Sequence, residues 1–240
     1  MTASVKLLTS PESNQIKVLA ATDAWLHRNL NPAKILNIKE QARADRFVVE
    51  TARTQFAFAR AFLRTALGHA LNIPAEDVTF GTGPHGKPFL AGQPSQSGLQ
   101  FNLSHCSGLT LFAATLDSSV GVDVEQPDRS IDRHRFAQRF FHRLELERLS
   151  GLSPKEHRDV FFRIWTQKEA WLKALGVGLD LPLSSFAVTG EQGEAAALTC
   201  WDSDASAAEK WRLHSLELQG YPVTICSESN TWSLETELLL

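Results

Sequence analysis

With 240 residues, 43% hydrophobic and 21% charged, the chain has ordinary globular composition and length for one large domain or two small ones, which excludes a disordered chain. No apolar run approaches the roughly 18 residues of a membrane span and no signal-type leader opens the chain, so a cytoplasmic protein without a membrane partner is expected. A net charge of -3 and the lack of any nucleic-acid-binding motif argue against nucleic acid as a partner.

In chain order, Val5–Thr9 and Ile16–Ala21 read as strands, and Asp23 is placed to cap a helix carrying Trp25 and Leu26. From Ile38 to Leu67 neither Pro nor Gly interrupts, which predicts one long helix closed by Gly68. On it Lys39, Arg46, Arg53 and Arg60 recur every seven residues, a basic stripe that binds anions or faces water. Strands are expected at Asp77–Phe80, Leu99–Leu103 and Leu109–Leu116, with a loop at 93–98. Val120–Glu125 alternates with period two, so Asp123 and Glu125 project from one side. Helices follow near Arg133–Phe141, at Glu145–Leu149 and from Pro154 to Leu175, bounded by Gly176. Ser184–Val188, Ala196–Trp201, Lys210–Leu218, Val223–Ser227 and Thr231–Glu235 complete the strands, with a loop region over Thr189–Ala208.

The charge is uneven: residues 1–118 hold 11 Lys+Arg against 8 Asp+Glu, and residues 119–240 hold 13 against 19. Each half also has a strand, an Arg-Phe pair (Arg46-Phe47, Arg139-Phe140), a long helix and a further strand, a faint internal repeat. Three cysteines, Cys106, Cys200 and Cys226, form no C-x-x-C pair and are expected to be reduced and structural.

Gly81-Thr82-Gly83-Pro84-His85-Gly86 matches G-x-G-x-x-G, but Pro84 and Pro88 keep these glycines from opening a helix, which excludes a dinucleotide-binding turn. A tight turn presenting Lys87 remains. In Ser104-His105-Cys106, neighbours on extended chain point to opposite sides, so no local nucleophile–base dyad forms. Asp123, Glu125 and Glu169 suit a hard cation such as Mg²⁺, which prefers oxygen ligands. Taken alone, Glu169 and Lys173 are an i, i+4 helix pair.

Read in order, Gly86-Lys87-Pro88, Phe101-Asn102-Leu103-Ser104-His105, Gly121-Val122-Asp123-Val124-Glu125 and Trp165-Thr166-Gln167-Lys168-Glu169-Ala170-Trp171-Leu172-Lys173 resemble the signature blocks of the Sfp-type 4′-phosphopantetheinyl transferases. The resemblance runs from about Arg43 to Val188 and includes Arg139-Phe140-Phe141 with Glu145. It implies an α+β fold of two similar α/β halves in one chain, a pseudo-dimer. Each half would be a small, mainly antiparallel sheet packed on a long helix, with the active site at their interface. Residues 1–118 would form the coenzyme A-binding half and residues 119–240 the half with the metal-binding carboxylates and catalytic helix.

The implied activity is Mg²⁺-dependent transfer of the 4′-phosphopantetheine arm of coenzyme A to a serine of an acyl carrier protein, or of a polyketide or nonribosomal peptide carrier domain. Adenosine 3′,5′-bisphosphate would be released. By the resemblance Asp123, Glu125 and Glu169 hold Mg²⁺, and Arg53, Lys87, Pro88, Ser104, His105 and Lys168 contact coenzyme A. Glu169 is the expected base, acting directly or through a metal-bound water, and Lys173 the cation at the leaving phosphate. Two halves in one chain would let a monomer build a complete site, and the basic stripe could dock any acidic carrier. Cys106 stands where the family commonly has serine, a change of hydrogen bonding at constant size that tunes activity. A non-catalytic binding module and a Mg²⁺-dependent phosphohydrolase are the competing readings.

Overall fold

The computed structural model describes residues 9–190, 195–196, 198–201, 209–228 and 232–240; most of the strand expected at Val5–Thr9 and of the loop region Thr189–Ala208 lies outside them. In chain order the elements are β1 (Gln15–Thr22), α1 (Asp23–Asn29), α2 (Pro32–Ile35), α3 (Ile38–Ala44), α4 (Glu50–Leu71), β2 (Phe80–Thr82), β3 (Pro88–Leu90), β4 (Leu99–Cys106), β5 (Leu109–Leu116) and β6 (Val120–Val124). There follow α5 (Arg133–Phe140), α6 (Arg143–Leu149), α7 (Pro154–Leu175), β7 (Phe186–Val188), β8 (Ala195–Ala196), β9 (Leu198–Trp201), β10 (Arg212–Leu218), β11 (Tyr221–Ser227) and β12 (Ser233–Leu239). The chain divides into two compact units, one holding the residues up to Gly81 with Pro88–Asp117 and Ser233–Leu240, the other Thr82–Lys87 and Ser118–Trp232.

In the first unit the sheet order is β12-β1-β5-β4. The pairs β1–β5 and β4–β5 are antiparallel, whereas β12 lies parallel to β1, with Gln15 opposite Ser233. Phe62, Leu63, Ala66 and Leu67 fall on one face of α4 and pack on Leu19, Phe101 and Phe112 of the sheet. Each large side chain so buried stabilises by about 1.5–3 kcal/mol.

The single helix expected over Ile38–Leu67 is two helices. Asn37 and Glu40 form a reciprocal capping box that starts α3, and the chain leaves helical geometry before Val49, which is extended. Val48 and Val49 are β-branched and stiff at χ1, which disfavours helix without any Pro or Gly to announce the break. The basic stripe is interrupted there too. Arg60 and Arg64 turn inward to Glu40, at 2.5 and 2.7 Å, and Arg64 also donates to the carbonyls of Ala75, Glu76 and Val78. Gly68 is not the cap: α4 ends on Asn72 in the left-handed conformation (φ 55°), and a Cβ on Gly68 would meet the Ile73 carbonyl at 2.8 Å.

In the second unit β6, β11, β10 and β8 form a wholly antiparallel sheet, and β7 pairs with β9. Ser153 caps α7 with Glu156 in a capping box, Pro154 opens its first turn, and Gly176 (φ 75°) ends it. Phe161, Ile164, Trp171 and Ala174 of α7 pack with Leu213 and Cys226 of the sheet. Each unit thus carries a four-stranded sheet and a 22-residue helix, an α+β arrangement. No helix among the described residues is long and apolar enough to cross a membrane.

Candidate active site

The parity of β6 organises the site. Gly121, Asp123 and Glu125 share one side of the extended chain. A Cβ on Gly121 would overlap the Ala170 carbonyl oxygen and lie 2.5 Å from the Ala174 nitrogen, so only glycine lets α7 lie this close to the strand. Trp165 reaches Glu125 from the other end of the contact. From Gly121 to Glu125 the strand covers about 13 Å and from Ala174 back to Trp165 the helix also covers about 13 Å, so the two run antiparallel in matched lengths. Glu169, near the middle of that helical segment, therefore comes opposite Asp123.

The polar contacts follow this register. Lys173 Nζ donates to Asp123 Oδ1 at 2.6 Å, and the Asp123 side chain is 5% exposed. Trp165 Nε1–H donates to Glu125 Oε1 at 2.7 Å, and Arg129 Nη1 donates to both oxygens of Glu125 at 3.1 Å. Burial pushes the Glu169 carboxyl up to about 7, with Asp123 and Glu125 adding to the rise and Lys173 opposing it. Burial, then Asp123, likewise raises Glu125 against the pull of Arg129 and Trp165. The three carboxylates thus sense one another. Among the described residues no three His, Cys, Asp or Glu side chains stand close enough to hold one metal ion as they are placed.

Gly121→Ala is expected to destabilise the protein by about 3–5 kcal/mol, because the methyl group meets helix backbone that cannot rotate away. Urea unfolding followed by circular dichroism measures this; a loss below about 1 kcal/mol would show that β6 and α7 separate freely.

The remaining residues singled out in the sequence lie as follows. Lys87 leaves the turn whose Gly83 N–H bonds the Lys87 carbonyl at 2.9 Å, and its Nζ donates to the carbonyls of Ala174 (3.0 Å) and Val120 (3.4 Å). A cation so placed suits the C-terminal end of α7. Burial lowers its ammonium to about 8. Gly176 leaves room for the stem, since a Cβ there would lie 3.0 Å from Lys87 Cδ. Pro88 opens β3, and Arg53 is half exposed and paired with Asp45 and Glu50. Ser104 is buried and His105 exposed on β4, consistent with opposite sides.

Lys168 departs from expectation. It is 0% exposed, ion-paired to the equally buried Glu145 at 2.9 Å, and donates to the carbonyls of Leu183 (2.7 Å) and Phe186 (2.6 Å). An ammonium has three N–H donors and all are used within this unit, which leaves none for a coenzyme A contact. Burial lowers Lys168 to about 8 and raises Glu145, each shift opposed by the partner.

Sequence reasoning missed Trp165, Arg129 and Gly121 as parts of the site. Gly121 left a signal: a glycine sharing the carboxylate face of a strand marks close approach of another backbone. The Trp165 and Arg129 contacts left none, because they depend on the register between α7 and β6.

Comparison with known proteins gives the family. Residues 119–226 match the family model described as the 4′-phosphopantetheinyl transferase superfamily, and residues 25–117 match that of the 4′-phosphopantetheinyl transferase N-terminal region. The chain is 38% identical to the 4′-phosphopantetheinyl transferase HetI of Nostoc sp. (strain PCC 7120 / SAG 25.82 / UTEX 2576), over 72% of this chain and 67% of that one. It is 30% identical to the 4′-phosphopantetheinyl transferase Sfp of Bacillus subtilis (strain 168), over 69% and 70%. To the 4′-phosphopantetheinyl transferase psf-1 of Bacillus pumilus it is 29% identical, over 88% and 85%. The solved holo-[acyl-carrier-protein] synthase of Thermotoga maritima covers 45% of this chain and 61% of its own at 22% identity and a TM-score of 0.38, too small an overlap to bear on the fold. With both stretches matched and the blocks around Asp123 and Glu169 folded onto one strand–helix contact, the chain belongs to the Sfp-type 4′-phosphopantetheinyl transferases.

Proposed function

We propose that the enzyme uses Mg²⁺ to move the 4′-phosphopantetheine arm of coenzyme A onto a serine hydroxyl of an acyl or peptidyl carrier protein, with adenosine 3′,5′-bisphosphate as leaving group. The observation that carries this reading is the gathering of Asp123, Glu125 and Glu169 on one strand–helix contact, with the Lys173 ammonium on Asp123.

The donor set fits Mg²⁺ in kind: three carboxylates, oxygen donors only, where burial first and the neighbouring carboxylates second raise Glu169 and Glu125. Asp123, Glu125 and Glu169 would hold the ion, which when bound neutralises pyrophosphate charge and polarises the bond that breaks. Lys173, already on the carboxylate face, provides a second positive charge for the departing phosphate. Glu169 is assigned to the proton of the incoming serine; without metal, burial lifts its carboxyl to about 7, and the cation it would hold would lower that value. Trp165 and Arg129 fix Glu125 by three hydrogen bonds and so limit its rotation. Arg53, Lys87, Pro88, Ser104 and His105 are proposed to contact coenzyme A on the strength of the sequence blocks. Lys87, with its ammonium on the end of α7, would do so through its backbone or stem. Lys168 we reassign from coenzyme A contact to positioning of α7.

The test is incubation with coenzyme A, Mg²⁺ and an unmodified carrier, followed by mass spectrometry of the carrier. A phosphopantetheine-sized gain that disappears with a chelator and returns with Mg²⁺ is the expected result. No gain across fatty acid, polyketide and nonribosomal peptide carriers would sink the reading. Hydrolysis of coenzyme A without modification of the carrier would favour the phosphohydrolase.

A further inference from the structure

Arg133 and His134 open α5 directly after its Asp132 cap, and His157 stands at the end of the first turn of α7. A first helical turn favours negative charge, yet α5 has no acidic residue there. Packing of α5 on α7 brings the two imidazoles together: the ring centroids of His134 and His157 lie 4.1 Å apart, tilted by 38°. His157 is 6% exposed, whereas His134 is open to solvent, so the pair joins the interior of the junction to its surface. None of the three side chains is satisfied. Arg133 Nε is buried without a hydrogen-bond partner, and among the described residues no hydrogen bond or ion pair reaches the side chain of Arg133, His134 or His157. A guanidinium is a fork of N–H donors and each imidazole carries at least one more, so the junction holds donors from two helices and no acceptor.

The neighbouring carboxylates are committed elsewhere. On α5, Asp132 accepts from the Arg135 N–H, and on α7, Glu156 accepts from the Ser153 N–H. Asp159 holds Lys155 and Arg158, and Asp128 lies beside Arg158. On α6, which also packs on α7, Glu145 holds Lys168 and Glu147 holds Arg143. The turn Leu183–Ser185, packed on α5, carries no charge. On β6, against another face of α7, Asp123 holds Lys173, and Glu125 holds Trp165 and Arg129. Burial first, then His134 and Arg133, therefore keep His157 below its ordinary range, and no carboxylate opposes them.

We propose that the α5–α7 junction is a binding site for a small tetrahedral oxyanion, a phosphate group, held by Arg133 together with His134 and His157 as protonated donors. The oxyanion supplies the acceptors that the protein lacks here, and hydrogen bonds between ionised partners are the strong kind. The site goes beyond the transferase reading and does not depend on it. Binding takes up protons, because an anion beside His157 favours the charged form that burial disfavours. Affinity therefore rises as pH falls through the histidine range. The bound anion ties α5 to α7 next to Phe136, whose ring meets Trp165 edge-on at 4.4 Å, and Trp165 in turn donates to Glu125. Occupancy thus steadies one wall of the carboxylate cluster from outside it.

The experiment is NMR of the full chain with labelled histidine and tryptophan side chains, titrated with sodium sulfate against sodium chloride at equal ionic strength. Sulfate keeps its charge across the histidine range, so any pH dependence belongs to the protein. Expected is a saturable shift of His134 and His157 alone among the eight histidines, with an affinity that tightens roughly tenfold from pH 8 to pH 6. The Trp165 indole signal moves with them. Arg133→Gln weakens sulfate roughly tenfold, and Arg133→Lys keeps part of the affinity. His134→Asn, at an exposed position, keeps the fold and also weakens sulfate, so the result does not hang on the folding of Arg133→Gln. Inorganic phosphate and glycerol phosphate then identify the source: equal affinity assigns free phosphate, and tighter binding of the ester assigns a phosphate monoester. Equal shifts with chloride, or shifts that never saturate, mean an adventitious ion only and overturn the site. Wild-type sulfate affinity in Arg133→Gln overturns it as well. So does a shift of both histidines by coenzyme A at concentrations where inorganic phosphate has no effect, which would make the cluster part of the coenzyme A site. A change of carrier KM in Arg133→Gln at unaltered sulfate affinity overturns it in favour of a protein contact.

Discussion

Glu169→Gln loses turnover by roughly 10²–10⁴-fold, the range for removing a general acid–base group, yet melts at a higher temperature than wild type at pH 8 in metal-free buffer. The two effects share one cause. Burial first, then Asp123 and Glu125, push the Glu169 carboxyl from its ordinary 4.5 to about 7, against the opposing pull of Lys173. Between those pH values the folded protein holds a proton that the unfolded chain has released, so stability falls as pH rises through this window. Above pH 7 the whole penalty is present, on the order of 3 kcal/mol. Glutamine never ionises, so the variant escapes the penalty, and at pH 4 the two proteins converge. Mg²⁺ adds the complementary test: it should raise the melting temperature of wild type more than that of Glu169→Gln, because a ligand stabilises the form that binds it more tightly. A variant less stable than wild type at pH 8 would mean that Lys173 stabilises the Glu169 carboxylate more than its neighbours repel it.

Periodicity made one side of this cluster readable. The alternation of Val120–Glu125 placed Asp123 and Glu125 together, and the same parity put Gly121 under α7. The i, i+4 rule set Glu169 beside Lys173, but it sees only one helix; the short contact of Lys173 is to Asp123 across the strand–helix register, which no local rule reaches. The same limit explains α3 and α4: Val48 and Val49 break the helix through side-chain stiffness, without the glycine or proline that punctuates most helix ends. It explains β12 as well, whose parallel partner β1 lies at the other end of the chain. Burial of charge was the least legible feature. Nothing local to Lys168 or Arg64 reports that each ammonium or guanidinium will be enclosed, because Glu145, Leu183 and Phe186 for the one, and Glu40 and Val78 for the other, come from separate elements.

Lys168→Met should cost about 3–5 kcal/mol, among the largest single losses expected in the protein, because it leaves the Glu145 carboxylate buried without its cation. Two backbone donors, Val188 N–H at 2.9 Å and His142 N–H at 2.9 Å, still reach Glu145, but the carbonyls of Leu183 and Phe186 lose theirs. Glu145→Gln should cost less. Lys168 then keeps both carbonyl acceptors and the face of Phe186, 4.1 Å from its ammonium, and burial already draws its protonated form down to about 8. Combining Lys168→Met with Glu145→Gln removes both charges, so the double variant should be more stable than the sum of the single losses by at least about 1 kcal/mol. Urea unfolding of the four proteins measures that coupling. The same set separates anchoring from ligand contact, since Lys168 ties α7 to Leu183 and Phe186 while Glu169, the next residue, turns about 100° away toward Asp123. A side chain that touched coenzyme A would, on loss, weaken coenzyme A binding at full stability. An anchor, on loss, lowers stability first, and Glu145→Gln moves in the same direction although it carries no ligand contact. Weakened coenzyme A binding in Lys168→Met at unchanged unfolding free energy would restore the ligand role and remove the anchor.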